Sequence, residues 1–164
     1  MSDFQRAIIS VLQHEGGLVN HTHDPGGITH FGISLRYLQQ QDPTLTAEDV
    51  KNLTQEAAIK IYQTDWWERY QYSAIQPQEI ATKLFDLAIN MGSQHAHICL
   101  QRALRAATGK LFLEDGLLGE KSFTAINTAP PAIVLAALKS EAAGFYRSLN
   151  KPEFETGWLN RAYD

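Results

Sequence analysis

Cysteine is all but missing from this chain: Cys99 is the single one in 164 residues. An internal disulfide and a thiolate cage for zinc are thereby excluded, and stability must come from packing. Basic charge is also in short supply. The 14 Lys and Arg stand against 18 Asp and Glu, leaving a formal net charge of −4. No global positive field exists to hold phosphates by counterion release, so no nucleic-acid partner is expected. Long apolar runs are lacking as well. The nearest, Ala129 to Leu138, gives way to Lys139 and Glu141 and falls short of the roughly 18 apolar residues that span a bilayer. The opening Met1-Ser2-Asp3-Phe4-Gln5-Arg6 leads straight into amphipathic sequence, without the basic stretch, apolar run and small-residue cleavage site of a secretory signal. The expectation is a protein made in the cytoplasm. With 44% hydrophobic and 20% charged residues, the composition is globular and disorder is excluded as the main state. The length predicts one compact unit of at most two lobes, and no internal repeat, low-complexity segment or linker divides it.

What is present is mostly helical periodicity. Ser2 with Gln5 forms a capping-box pattern ahead of Phe4, Ile8, Val11, Leu12 and Glu15 at helical spacing, which predicts a first helix from Asp3 to His14. Gly16-Gly17 stops it. Leu18 to Ile33 holds too many Gly, Asn, Asp and Thr for a helix and reads as a loop or short hairpin. Helices are then expected over Leu35 to Gln41, over Ala47 to Leu53 behind Thr46, and from Thr54 through Trp67. Pro77 can open one that ends before Gly92, and Ser93 can cap the next, reaching Thr108. Lys121 to Asn127, a long helix from Pro130-Pro131, and a final one between Pro152 and Arg161 complete the reading. The long helix should turn Val134, Leu138, Glu141, Ala142, Phe145 and Leu149 inward. The predicted class is all-α, or α+β at most, with a small loop or β-hairpin element near the N-terminus.

The chemistry gathers where the pattern is least regular. Glu15 extends the apolar stripe of the first helix, three and four positions after Leu12 and Val11, so its carboxyl should leave the helix end beside the core. Desolvation there raises a carboxyl pKa, the condition for a general acid near neutral pH; the alternative is a Glu that simply turns to solvent. Nine positions on, Asp24 heads Asp24-Pro25-Gly26-Gly27, with Thr29 just beyond. Two carboxyls facing across a cleft can hydrolyse a glycosidic bond, one protonating the leaving oxygen and the other acting as base or nucleophile. Asp-Pro-Gly-Gly is equally a turn sequence in its own right.

Glu15-Gly16-Gly17-Leu18-Val19-Asn20, followed by Asp24-Pro25-Gly26-Gly27-Ile28-Thr29-His30-Phe31-Gly32-Ile33-Ser34, resembles the opening of glycoside hydrolase family 108. These are lysozyme-like N-acetylmuramidases of secretion-activator and endolysin type, whose signature is Glu-Gly-Gly-Tyr. The order Glu, Asp, Thr also resembles phage-type lysozymes, with the Asp-to-Thr interval one residue shorter. The likeness continues through Leu53-Thr54-Gln55-Glu56-Ala57, Ile61-Tyr62, Trp66-Trp67 and Phe85-Asp86-Leu87-Ala88-Ile89-Asn90-Met91-Gly92. It resumes at Leu100-Gln101-Arg102-Ala103-Leu104 and Asp115-Gly116-Leu117-Leu118-Gly119, which resemble a peptidoglycan-binding segment of that family. The resemblance implies a helical lysozyme-like fold with two lobes around a cleft, 1–82 catalytic and 83–164 helical with the peptidoglycan-binding segment. It implies cleavage of the β-1,4 bond between N-acetylmuramic acid and N-acetylglucosamine, with Glu15 as acid and with Asp24 and Thr29 placing or activating water. One departure stands out: Leu18 takes the place of the motif Tyr. A lytic transglycosylase, a chitinase-like glycosidase or a non-catalytic glycan-binding protein are the alternatives.

Other residues have competing readings. Tyr62, Trp66, Trp67, Tyr70 and Tyr72 crowd one stretch. Tyr62 and Trp66, four apart, read as core, which leaves Trp67 or Tyr70 to reach the cleft and stack on sugar. Asn90 either binds a sugar N-acetyl group or caps local backbone. His21, His23, Asp24 and His30, like His95 and His97, have loose spacing for a metal, and no metal or other cofactor is expected. Cys99 reads as a buried small side chain, and Arg161 as an ion-pair tether for the C-terminal segment. The expected partner is bacterial peptidoglycan, met by a monomer. Without a signal peptide, a holin-like membrane pore or an export system is implied, with action in the periplasm or cell wall after release.

Overall fold

The computed structural model describes residues 1–14, 19–20 and 28–164. Among these, nine α-helices and one three-stranded sheet form the fold, so the class is all-α with a small β element, as the sequence predicts.

Helix α1 (Phe4–His14) buries Phe4, Ala7, Ile8 and Val11 along one stripe. Its start departs from the expected capping box. Asp3 makes the cap, accepting from the Gln5 and Arg6 backbone at 2.7 and 3.4 Å. Ser2 is drawn elsewhere: its hydroxyl donates to Tyr72 O at 2.8 Å and its N–H to Ser73 O and Ile75 O.

Strands β1 (Val19–Asn20), β2 (Ile28–His30) and β3 (Ile33–Ser34) pair antiparallel in that order, with Thr29 opposite both Val19 and Ser34. The β2–β3 turn is only Phe31 and Gly32, both at positive φ, 50° and 77°, the two-residue geometry that matches strand twist. A phenylalanine there is strained. It is held by Tyr62, whose hydroxyl donates to Phe31 O at 2.8 Å, and by stacking on His30 with centroids 4.1 Å apart.

Helices α2 (Leu35–Gln41) and α4 (Gln55–Tyr62) start on hydroxyl caps: Ser34 accepts from Tyr37 N and Thr54 from Ala57 N. Between them, α3 (Ala47–Lys51) begins on a Thr46–Asp49 capping box. Beyond Tyr62 the backbone continues as a π-helical segment, Gln63–Glu68.

Helix α5 (Gln78–Met91) is the axis of the molecule, with Ile80, Ala81, Leu84, Phe85, Leu87 and Ala88 buried around most of its girth, the pattern of a helix covered on all sides. Helices α1, α6 (Ser93–Thr108) and α8 (Pro131–Ser148) and the π-helical segment pack around it. The boundary between residues 82 and 83 thus falls inside a continuous helix. Gly92, at φ 87°, takes the sharp turn between α5 and α6; Ser93, the expected cap, is already helical and donates instead to the Tyr70 hydroxyl at 2.8 Å. Helix α7 (Glu120–Thr128) precedes α8. On α8, Val134, Leu138, Ala142, Ala143 and Tyr146 face inward, while Leu149, just past its end, is exposed. Helix α9 (Pro152–Tyr163) returns across α8.

Candidate functional site

Three helix segments converge at one place: the last residue of α1, the C-terminal half of α5, and α9. Asp86 of α5, 1% exposed, joins them. Arg161 of α9 donates to it from Nε at 3.1 and 3.3 Å and from Nη2 at 2.9 Å, the fork geometry in which a buried guanidinium best satisfies a carboxylate. His14 of α1 meets Asp86 through Nδ1 at 3.1 Å and Asp164 through Nε2 at 3.3 Å. Lys83 joins them, with Nζ 3.8 Å from Asp86 Oδ2 and a hydrogen bond donated to Arg161 O at 2.8 Å. Burial pulls the Lys83 ammonium below its ordinary value, opposed by the Asp86 charge. Removing any partner would strand another charge, so the cluster fixes the helix ends relative to one another. The tether expected of Arg161 is thus present.

Two open cavities flank this junction, and His14 and Asp164 line both. One, of about 460 Å³, is bordered by Arg6, Lys83, Glu79 and Lys139. The other, of about 400 Å³, is bordered by Asn90, Glu153, Phe154, Trp158 and Arg161.

Asn90 is exposed near the C-terminal end of α5. Its Oδ1 accepts from the Tyr146 hydroxyl at 2.7 Å, and among the described residues no partner holds Nδ2. A fixed amide with its donor end free can bind a carbonyl oxygen, and this side chain makes no backbone cap. Glu15 and Asp24 lie outside the described residues; in sequence, Glu15 directly follows His14. Thr29 is at the centre of β2, half-buried, on the face opposite the buried Ile28.

The aromatic candidates separate. Trp67, 4% exposed, packs edge-on against Phe4, Tyr72 and Phe85 with centroids 5.4–5.9 Å apart, so its ring is committed to the core. Trp66 is the less buried of the pair, lying against Tyr37 and Tyr62. Tyr70 is half-buried beside a different, smaller cavity of about 170 Å³ with Arg69, His97 and Leu117. His97 is a core histidine: Nε2 lies 2.8 Å from the Tyr72 hydroxyl and Nδ1 2.8 Å from Gly116 O, and burial lowers its pKa. Cys99 is buried, and desolvation pushes its thiol up to about 11, far from the range of a ready nucleophile. Among the described residues, no group of three or more His, Cys, Asp or Glu side chains could hold a metal ion. His21 and His23 lie outside the described residues.

The aromatic pair of α9 is the part of this site that the sequence reading passed over. The available signal is Phe154 and Trp158 at i, i+4.

Residues 8–92, just over half of the chain, match the family model described as glycosyl hydrolase 108. The match takes in the C-terminal part of α1 from Ile8, the sheet and all of α5, and ends at Gly92. Among solved structures, SagA of Brucella abortus has the same fold, with a TM-score of 0.81 at 27% sequence identity over 98% of this chain and 89% of that one. This second likeness extends through α6 to α9. Comparison with curated proteins returns no match.

Proposed function

The chain belongs to the glycosyl hydrolase 108 family, and from that premise we propose that it is a peptidoglycan hydrolase, an N-acetylmuramidase that cleaves the β-1,4 bond between N-acetylmuramic acid and N-acetylglucosamine. The observation that carries this reading is the family match over residues 8–92, a span that includes Glu15, Asp24 and Thr29. The cavity beside His14 supports it: an open depression with a fixed amide and an aromatic pair suits a sugar chain.

In this mechanism Glu15, protonated, donates its proton to the glycosidic oxygen as the bond to the anomeric carbon breaks. Asp24 takes a proton from the water that attacks the opposite face, so the product is inverted, and the Thr29 hydroxyl orients that water. Asn90 Nδ2 donates to a sugar acetamido oxygen. Two carboxyls complete the proton inventory without Lewis-acid help. The substrate lies in the cell wall, and a holin-like pore or an export system brings the enzyme to it.

Mass analysis of the products from purified peptidoglycan tests the reaction class. Hydrolysis gives fragments carrying an added water and a reducing end. An anhydro end would make the protein a lytic transglycosylase, and binding without any cleavage would make it a glycan-binding protein.

A further inference from the structure

Helix α9 lies wholly beyond the family match and carries an aromatic pair that the proposed proton transfers do not use. Phe154 and Trp158 stand four apart, with ring centroids 5.5 Å apart and planes tilted by 33°. Phe154 remains 54% exposed. Trp158 is backed by Tyr146, stacked at 5.5 Å and 19°, and the same Tyr146 hydroxyl holds Asn90 Oδ1. One tyrosine therefore positions both an aromatic surface and an amide donor, and all three residues, Phe154, Trp158 and Asn90, border the cavity of about 400 Å³ beside His14.

An apolar ligand would need only the rings. A pyranose offers apolar C–H faces for aromatic contact and a rim of hydroxyl and acetamido groups for polar contact. Asn90 faces this cavity with its free donor, together with the Glu153 carboxylate and the Asn160 amide. We propose that Phe154 and Trp158 form a saccharide subsite that takes one N-acetylhexosamine ring of the glycan strand, oriented by a hydrogen bond from Asn90 to its acetamido oxygen. This rests on the glycan-hydrolase reading. It adds that α9, outside the matched family segment, sets substrate affinity.

The test combines steady-state kinetics on soluble, peptide-free peptidoglycan strands with tryptophan fluorescence during titration with tri-N-acetylchitotriose. Trp67 is buried and Trp66 packs against Tyr37 and Tyr62, so Trp158 is the reporter: the trisaccharide shifts wild-type emission, and Trp158→Phe abolishes the shift. Phe154→Ala, at an exposed position that leaves the core intact, raises KM by at least about fivefold and changes kcat less than about twofold, the signature of lost ground-state binding. A wild type that cleaves the strands, beside a Phe154→Ala of unchanged KM or a Trp158→Phe that keeps the emission shift, overturns the subsite alone. A wild type that neither cleaves the strands nor responds to the trisaccharide overturns the glycan-hydrolase reading, and the subsite with it.

Discussion

Tyr62 and Trp67 stand five residues apart, yet both are buried and both meet Phe85 edge-on, at 6.3 and 5.4 Å. In an α-helix the partner of Tyr62 on one face would be Trp66. The π-helical segment adds a residue to the turn, seen in the hydrogen bond from Arg69 N to Thr64 O, and so brings Trp67 into the core. Trp67→Ala should therefore cost about 3–5 kcal/mol, as expected for deleting a large buried ring. Trp66→Ala should cost less than half as much in urea denaturation. Equal costs would show that the π turn does not set which indole is buried.

This shift explains where the sequence stopped being legible. Helix existence is legible because caps and apolar spacing are local: Thr54, Pro77 and the Pro130-Pro131 pair each open the helix expected of them. The Ser2–Gln5 pattern does not make the cap, because Tyr72 O, seventy residues away, takes that hydroxyl. Of the two cleft candidates, Trp67 or Tyr70, Trp67 is buried instead, because the period of 3.6 does not hold across the π-helical segment. The α9 aromatics are not legible from local spacing, because their setting depends on Tyr146 and Asn90, on other helices. Glu15 and Asp24 remain readings of sequence and family.

The Asp86–Arg161 pair makes a second prediction. Arg161→Met removes the bidentate partner of a buried carboxylate and leaves, among the described residues, His14 and the more distant Lys83 beside it, so stability should fall by about 3–5 kcal/mol. The double variant Asp86→Leu with Arg161→Met should recover part of that loss. A single variant as stable as wild type, measured by thermal and denaturant unfolding, would mean the pair does not hold α9 in place.

His97 predicts a pH dependence. Burial lowers its pKa in the folded state, so as pH falls below about 6.5 the unfolded chain binds a proton that the folded chain refuses. Stability should drop through the window between the ordinary value and the lowered one, then stop changing on this account. His97→Gln should flatten the slope of unfolding free energy against pH in that window. An unchanged slope assigns it to other groups.

Asp24 and Thr29 divide the water-handling role in the proposed mechanism. Asp24→Asn should lower kcat by about 10²-fold or more, and Thr29→Ala by about tenfold, because an orienting hydroxyl is more readily replaced by solvent than a base is. Near-normal kinetics in Asp24→Asn would reduce that residue to a turn former. The anomeric form of the first product, read by NMR, should be inverted.

The central claim is that Glu15 is the proton donor, and the clearing rate of purified Glu15→Gln on bacterial walls tests it most directly. The substitution keeps the shape of the side chain and removes its proton, so the folded variant, with a melting temperature near that of wild type, should lose about 10²–10⁴-fold in rate. A rate above about a tenth of wild type would contradict the assignment, since so small a loss corresponds to less than about 1.4 kcal/mol of barrier.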